Sequence, residues 1–494
     1  MGEVQNNLFE PTFNRSVKVQ STDLRITSDA GVLLLREAES RLGIIQSIVE
    51  GMQDPRRADR VRYGLDELIR ERLFALALGY SAQDDLDRLA HDPAFRAAVW
   101  NRSGDQVLEE RLASQPTQSR LINILTDGPG NLEALRDGLS ESIKRHVHAS
   151  GGKRVRQATI DIDSFPIETH GKQHGASYNG YYKKTVYHPL VASLCVAGDY
   201  DSTREGFRLG NGFIHALLRQ GQVHTANGIQ RFVDNVDEKA HEIAKHVDYR
   251  LDAGYTSGEI MDALTEKRRR FVGRIKSNST LEALAEPHLT RPGGRPPKGG
   301  YETVIELGSY QAKGWEHAQR LILVIVDRPD PVSGQLNLLP RYFFLITNWD
   351  EASRDGETLL AHYRRRGTFE DRLGEFNEAI GVSLSSPRFK ENEATMLLAL
   401  LAFNLTTVCR NELEDSVGGC WDLKRFQLYL LKVGAVVVKH SRRLIVRIAE
   451  SAQPLWSRLV SCLENWQNQA TPSGQPSGFK PPPPHAHLKE SLRW

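Results

Sequence analysis

The spacing of apolar and polar positions changes several times along the chain, and each change marks a region. Through residues 1–150 the texture is helical: Leu65, Leu68, Ile69, Leu73 and Leu76 recur at helical spacing. Gly79 ends that run. Ser81 stands where an N-cap belongs, with Asp84 in the turn after it, and Pro93 opens a helix that closes near Trp100. Leu121 and Leu125, then Leu132, Leu135 and Leu139, carry the pattern onward. Short helices broken by Gly and Ser suit a DNA-reading unit or a plain helical bundle, and both readings stand at this point.

At Gly151-Gly152 the period drops to two. Residues 157–164 alternate apolar and polar side chains, the mark of a half-buried strand. Further strands are predicted at 186–197 and 206–209. A helix is predicted over 213–232, with Ile214, Leu217, Leu218 and Ile229 on one face. Residues 246–251 form the next strand, ending at Asp252-Ala253-Gly254. Ser257 caps a helix to about Arg268, and 270–275 is a strand. Strands alternating with helices predict an α/β layer with a mixed sheet. Residues 277–348 are strand-rich (301–307, 318–327, 342–347) and include a Pro/Gly/Arg loop at 291–300. Helical texture returns at 357–380 and 392–466. The tail, 469–494, holds six of the 22 prolines and should be disordered or polyproline II. The expected organisation is a helical region (1–150), the first part of an α/β core (151–276), a β-rich insertion (277–348), the last part of the core (349–400), a C-terminal helical region (401–468) and the tail (469–494).

Composition narrows the function. Lys and Arg number 64 against 62 Asp and Glu, a net charge of +2, so any nucleic-acid site must be a local patch. The longest apolar run, residues 396–408, falls short of the roughly 20 residues of a membrane span and contains Asn404. The polar start of the chain lacks the pattern of a signal peptide, which predicts a cytoplasmic protein without a membrane partner. Four cysteines (195, 409, 420, 462) lack CxxC spacing, against zinc or disulfides. No P-loop, GxGxxG, GxSxG or HExxH motif appears, so neither ATP nor a dinucleotide is expected; the cluster of His170, His174 and His188 has no metal-site spacing, and His170 with Gly171 is read as shaping the turn after the strand.

Acidic residues at strand ends are the remaining candidates for chemistry. Asp161 and Asp163 share one face of the first strand, and Asp252 ends a later one. Ligands gather at strand ends in open α/β sheets. Glu370, Asp371 and Glu375 come from a helical segment. Such carboxylates suit divalent metals, or the paired acids of glycoside cleavage. Arg366 lies three residues after Tyr363 and four before Glu370, so one helix face would carry a ring, a guanidinium and a carboxylate. A basic stretch, residues 264–298, has nine Lys and Arg against three Glu and could attract a phosphate backbone. Lys267, Arg268, Arg269 and Arg270 could equally complement a helix C-terminus.

The Tyr-x2-Arg-x3-Glu spacing resembles the Y-R-E-K signature of insertion-sequence DDE transposases, which have a ribonuclease-H-like core. Thr27 to Gly31, Ser114 to Arg120, Asp161 to Ser164, Thr169 to Gly171, Tyr187 to Leu190 and Tyr363 to Glu370 look like the insertion-sequence thirteen-eighty family. The resemblance implies a DNA transposase that cuts its element's ends and joins them to target DNA, through a hairpin intermediate. Asp163 (with Asp161 as competitor), Asp252 and Glu370 would be catalytic and would hold two Mg²⁺ ions, with Mn²⁺ as a substitute. Tyr363 and Arg366 would contact the transposon end, with Arg268, Arg269 and Trp315 as further DNA contacts. The signature Lys is replaced by Asn377, which keeps a donor and loses a charge. The implied partners are terminal inverted repeats and target DNA, bound by a homodimer at the nucleoid.

Overall fold

The alternation at 157–164 belongs to the central part of an eight-stranded sheet. Strand β1 (Val155–Ser164) is followed outward on one side by β2 (Leu190–Val196) and β3 (Gly212–Leu217), and on the other by β4 (Ala244–Leu251) and β5 (Arg270–Ile275). Neighbours among β1, β2 and β3 are antiparallel, while β4 and β5 run parallel to β1. The order 3-2-1-4-5 with these directions is that of a ribonuclease-H-like core. The strands of the insertion, β6 (Tyr301–Tyr310), β7 (Gln319–Asp327) and β8 (Arg341–Thr347), extend the same sheet, because β8 pairs antiparallel with β5. The structure is a computed structural model and describes residues 7–102, 106–196, 211–222, 228–291, 299–329 and 339–466, apart from 420 and 442. The strand predicted at 206–209, most of the basic loop and the Pro-rich tail lie outside these residues.

The helices that bear on the site are α1 (Leu65–Ala77), α2 (Gln115–Asp127), α3 (Asn131–Ala149), α4 (Ile229–Ile243), α5 (Gly258–Glu266), α6 (Gly356–Arg364), α7 (Gly367–Glu375) and α8 (Phe389–Val417). Period two gives the sheet two different faces. Ile160, Ile162, Tyr249, Leu251 and Phe271 point into one apolar cluster with Val233 and Val236 of α4 and Ile260 and Leu264 of α5. The alternate residues, Asp161 and Arg250 among them, face the other way. There Val272 and Leu345 pack with Leu359 and Leu360 of α6.

Two sequence expectations are corrected. Residues 213–232 are not one helix: Gly212–Leu217 is β3, and α4 begins only at Ile229. Five of the six β3 residues are buried, so the strand shows no alternation and its apolar spacing mimics a helix. Asn404 of α8 continues its hydrogen bonding, accepting from Phe213 N (2.9 Å) and donating to Phe213 O (2.8 Å). Gly212 permits this approach, since a Cβ there would lie 2.7 Å from Asn404 Oδ1. Nor is 392–466 helical throughout: Ala435–His440 and Arg443–Ile448 form a hairpin, and its first strand also pairs with Ile26–Thr27.

Among the described residues, α8 is the one helix long and apolar enough to cross a membrane, but 94% of that apolar window is buried inside the protein. A helix apolar on all sides is a core helix when its neighbours cover it. Here Leu397, Leu401 and Leu405 share one cluster with Leu68 and Leu73 of α1, Leu121 and Leu125 of α2, and Leu135 and Leu139 of α3. The N-terminal helices are therefore packed around a C-terminal one.

That helical core contains a buried acid. Glu71 of α1 accepts from Gln118 Nε2 of α2 at 2.9 Å, and its Oε1 has no hydrogen-bond partner. Burial raises its pKa from 4.5 to about 8, more than the Gln118 hydrogen bond lowers it. The folded state holds this proton more tightly than the unfolded chain. Its stabilising contribution is complete below pH 4.5 and lost as the pH rises through about 8. Glu71→Gln keeps the neutral group, so its stability relative to wild type should rise across this window, by on the order of 4 kcal/mol at its end. Denaturant melts below and above the window check this.

Candidate active site

The parallel register of β1 and β4 sets the geometry. Arg250 pairs with Asp161 and Leu251 with Ile162, so the next step along both strands sets Asp252 beside Asp163. Both acids sit at the C-terminal ends of adjacent parallel strands, on the face that α6 and α7 cover.

The two acids of β1 have separate uses. Asp161 is fully buried and takes a two-point ion pair from Arg250, Nε to Oδ1 at 2.8 Å and Nη2 to Oδ2 at 2.5 Å. Burial opposes the charge on Arg250, but Asp161 outweighs it and raises its pKa. Arg250 also donates to the carbonyl of His362 in α6 (3.3 Å), tying that helix to the sheet. Asp163 is part-exposed, accepts from Ser164 N (2.7 Å) and pairs with Arg366. Burial pushes its carboxyl above the ordinary value against the pull of Arg366, and the charge of Asp252 adds to the rise.

Arg366 joins the strand acids to the helix acid. Its Nη2 donates to Asp163, and its Nη1 donates to Glu370 Oε1 at 2.9 Å, one helical turn on. Burial works against its charge, yet Asp163 and Asp252 raise its pKa. Glu370 is two-thirds exposed. Tyr363 is pushed up to about 12, by burial first and then by the charge of Asp252. Asp163, Asp252, Tyr363, Arg366 and Glu370, singled out from sequence, thus form one cluster. Asn377 is exposed, in the π-helical turn Phe376–Ile380 that continues α7.

Other predicted contacts are not part of it. Arg269 forks onto Asp237 of α4 (2.9 and 3.1 Å), and Arg268 turns the chain at φ 57°. Arg270 pairs with Asp248, four residues before Asp252, so Arg268 stands roughly 20 Å back along the sheet from that acid. Trp315 packs on the first turn of α5, where a Cβ on Gly258 would lie 2.4 Å from its ring, and edge-on against Tyr310.

Three tyrosines were missed in the sequence. Tyr255, just past Asp252, donates from its hydroxyl to Ser164 Oγ at 3.0 Å. Its pKa is raised by burial and then by the charge of Asp163. Tyr182 is raised by burial and by Asp163 as well, and its ring meets His188 edge-on. Its neighbour Tyr181 is 87% exposed, at the turn between the strands Ser177–Asn179 and Lys184–Tyr187. The run Tyr181-Tyr182-Lys183-Lys184, aromatic rings beside cations, was the available signal.

The donor set fits a hard divalent cation: oxygen ligands only, part-exposed, with two carboxylates side by side at the strand ends. The guanidinium of Arg366 supplies the positive charge between Asp163 and Glu370. Among the described residues, the one group of three or more His, Cys, Asp or Glu ligand atoms all within 4.8 Å of one another is Glu266, Glu316 and His317; Asp163, Asp252 and Glu370 do not form such a group.

Comparison with known proteins gives three findings. The family described as transposase DDE domain, group 1, matches residues 9–470. Among curated proteins none matches. Among solved structures, one titled as a piggyBac transposase synaptic complex with hairpin DNA is similar at 16% identity, with a TM-score of 0.42, over 82% of this chain and 80% of that one.

Proposed function

Because this chain belongs to the transposase DDE domain family, group 1, we propose that Asp163, Asp252 and Glu370 are the carboxylates with which it cuts the ends of its own insertion sequence. The observation that carries this reading is the register that sets Asp163 beside Asp252, with Glu370 held opposite through Arg366. The finer family assignment is the insertion-sequence thirteen-eighty branch, on the ordered words from Thr27 to Glu370.

Two Mg²⁺ ions, or Mn²⁺, bound by the three carboxylates would supply activation of the attacking oxygen and stabilisation of the leaving one. The chain's own residues do the rest. Asp163 and Asp252 approach from the sheet and Glu370 from α7. Arg366, which bridges Asp163 and Glu370, would offer its fork of donors to a phosphate once those acids hold cations. Tyr363 holds the distorted end, and Tyr181 presents a ring on which a base can stack. In the first step water breaks the P–O3′ bond at the element end. The freed 3′-hydroxyl then attacks the opposite strand, expelling its 3′ oxygen and closing a hairpin. Residues 1–150 read the inverted repeats and 401–468 supply a dimer contact, since synapsis needs two ends; the working compartment is the nucleoid.

Denaturing electrophoresis of end-labelled repeat DNA tests the hairpin step. The expected product is a single strand about twice the length of the element-side arm. Nicked 3′ ends that never close would remove this step and leave the cutting reaction. Asn377 supports a second reading, a DNA-binding regulator without chemistry, because it removes one phosphate contact. That protein would bind repeat DNA and never cut it.

A further inference from the structure

A cleft of about 370 Å³ opens in the N-terminal helical region, between residues 56–63 and the first turns of α2. Five arginines line it, Arg56, Arg60, Arg62, Arg111 and Arg120, and no carboxylate does. Two are held in place. Arg56 is forked on Asp54 (2.8 and 2.7 Å) and donates to the Tyr63 carbonyl at 3.1 Å. Arg62 lies near the Tyr63 ring and shares Glu110 with Arg102. Arg60, Arg111 and Arg120 are exposed and, among the described residues, have no ion-pair partner. The three guanidinium groups without a carboxylate partner repel each other around one concavity until an anion enters.

The sequence word from Ser114 to Arg120 divides between two tasks. Gln118 is buried and docks α2 on α1, donating to Leu68 O (3.3 Å) and Glu71 (2.9 Å). Ser114, Thr117 and Arg120, at i, i+3 and i+6, line the cleft. Ser114 has the backbone geometry of an N-cap, yet its hydroxyl caps no helix amide and faces that of Thr117 at 3.5 Å. Two hydroxyls and five guanidinium groups therefore converge on one space, all chemistry that binds phosphate oxygens.

We propose that this cleft grips the phosphodiester backbone of duplex DNA at a distance from the cutting site. The proposal rests on the transposase reading for its choice of duplex DNA over a free anion. Leu68, near the start of α1, lines the cleft, whereas Ala77 at its end accepts from Gln427 Nε2, which also donates to Ala379, beyond α7. The helix between spans about 14 Å. The cleft thus holds the flank of the bound DNA and leaves the scissile phosphate to the carboxylates. Contacts of this kind position a duplex without reading its sequence.

The test is fluorescence anisotropy across a salt series, with the full chain and two labelled duplexes, the inverted repeat and a scrambled sequence. Removing three phosphate contacts in Arg60→Ala/Arg111→Ala/Arg120→Ala should flatten the slope of log K against log salt by about 2.7, or 0.9 per contact, equally on both duplexes. The triple Lys variant should keep the wild-type slope. If the triple variant does not fold, Arg120→Ala alone should lower the slope by about 0.9. An unchanged slope, or a loss confined to the repeat duplex, overturns the proposal. A rise in wild-type melting temperature with inorganic phosphate, lost in the triple variant while its DNA slope stays at the wild-type value, would assign the cleft to a free anion instead. Failure of the transposase reading looks different: the wild type would not cut repeat DNA with Mg²⁺, whatever the slopes.

Discussion

Asp252→Ala is expected to lower strand cleavage by at least about 10³-fold, roughly 4 kcal/mol of barrier, while DNA affinity stays within about twofold. The asymmetry follows from what Asp252 does in the fold. It directly follows β4 and, among the described residues, its carboxylate forms no ion pair. Its loss therefore opens no buried charge, and the stability change should stay within about 0.5 kcal/mol. Its charge instead reaches Asp163, Tyr363 and Arg366, the groups of the candidate site. Cleavage rates on labelled repeat DNA, paired with anisotropy on the same duplex, separate the two effects. Retained cleavage would remove Asp252 from the chemistry. Lost affinity with lost cleavage would make it a binding residue.

Asp161→Ala is expected to act on stability, by about 3–5 kcal/mol, because it strands the buried guanidinium of Arg250 without its counter-charge. Asp163→Ala should cost far less: Arg366 keeps Glu370 as a partner, and Asp163 is part-exposed. Two acids separated by one residue on one strand face thus predict opposite phenotypes, an unstable protein and a folded one that does not cut. Urea melts beside cleavage assays check the pair. A stable Asp161→Ala protein without cleavage would transfer the first catalytic position to Asp161.

That distinction also marks how far the sequence could be read. Alternation across 157–164 showed β1 and the shared face of both acids, but Arg250, 89 residues away, decides which of them is consumed in an ion pair. The spacing of Tyr363, Arg366 and Glu370 was legible because one helical turn brings them together. Their meeting with Asp163 across about 200 residues came from the family words. Strand β3 was misread because a strand buried on both faces loses its period. The hairpin at 435–448 was legible in principle, with Val436, Val437 and Val438 before a turn at Ser441 and Ile445 and Val446 after it, but it lies between helices. Arg269 looked like a DNA contact because nothing near it in sequence reveals Asp237 as its partner. The word from Ser114 to Arg120 served only as a family mark until the fold divided its residues between the α1 contact and the cleft.

The most direct test of the central claim is strand cleavage of labelled DNA carrying the inverted repeats that flank the gene, comparing wild type and Glu370→Ala with Mg²⁺ and with EDTA. The account predicts cuts at the repeat boundary that require Mg²⁺ and disappear in Glu370→Ala, with binding retained. Specific binding without a cut by either protein would contradict it and leave a regulator that holds these acids without using them.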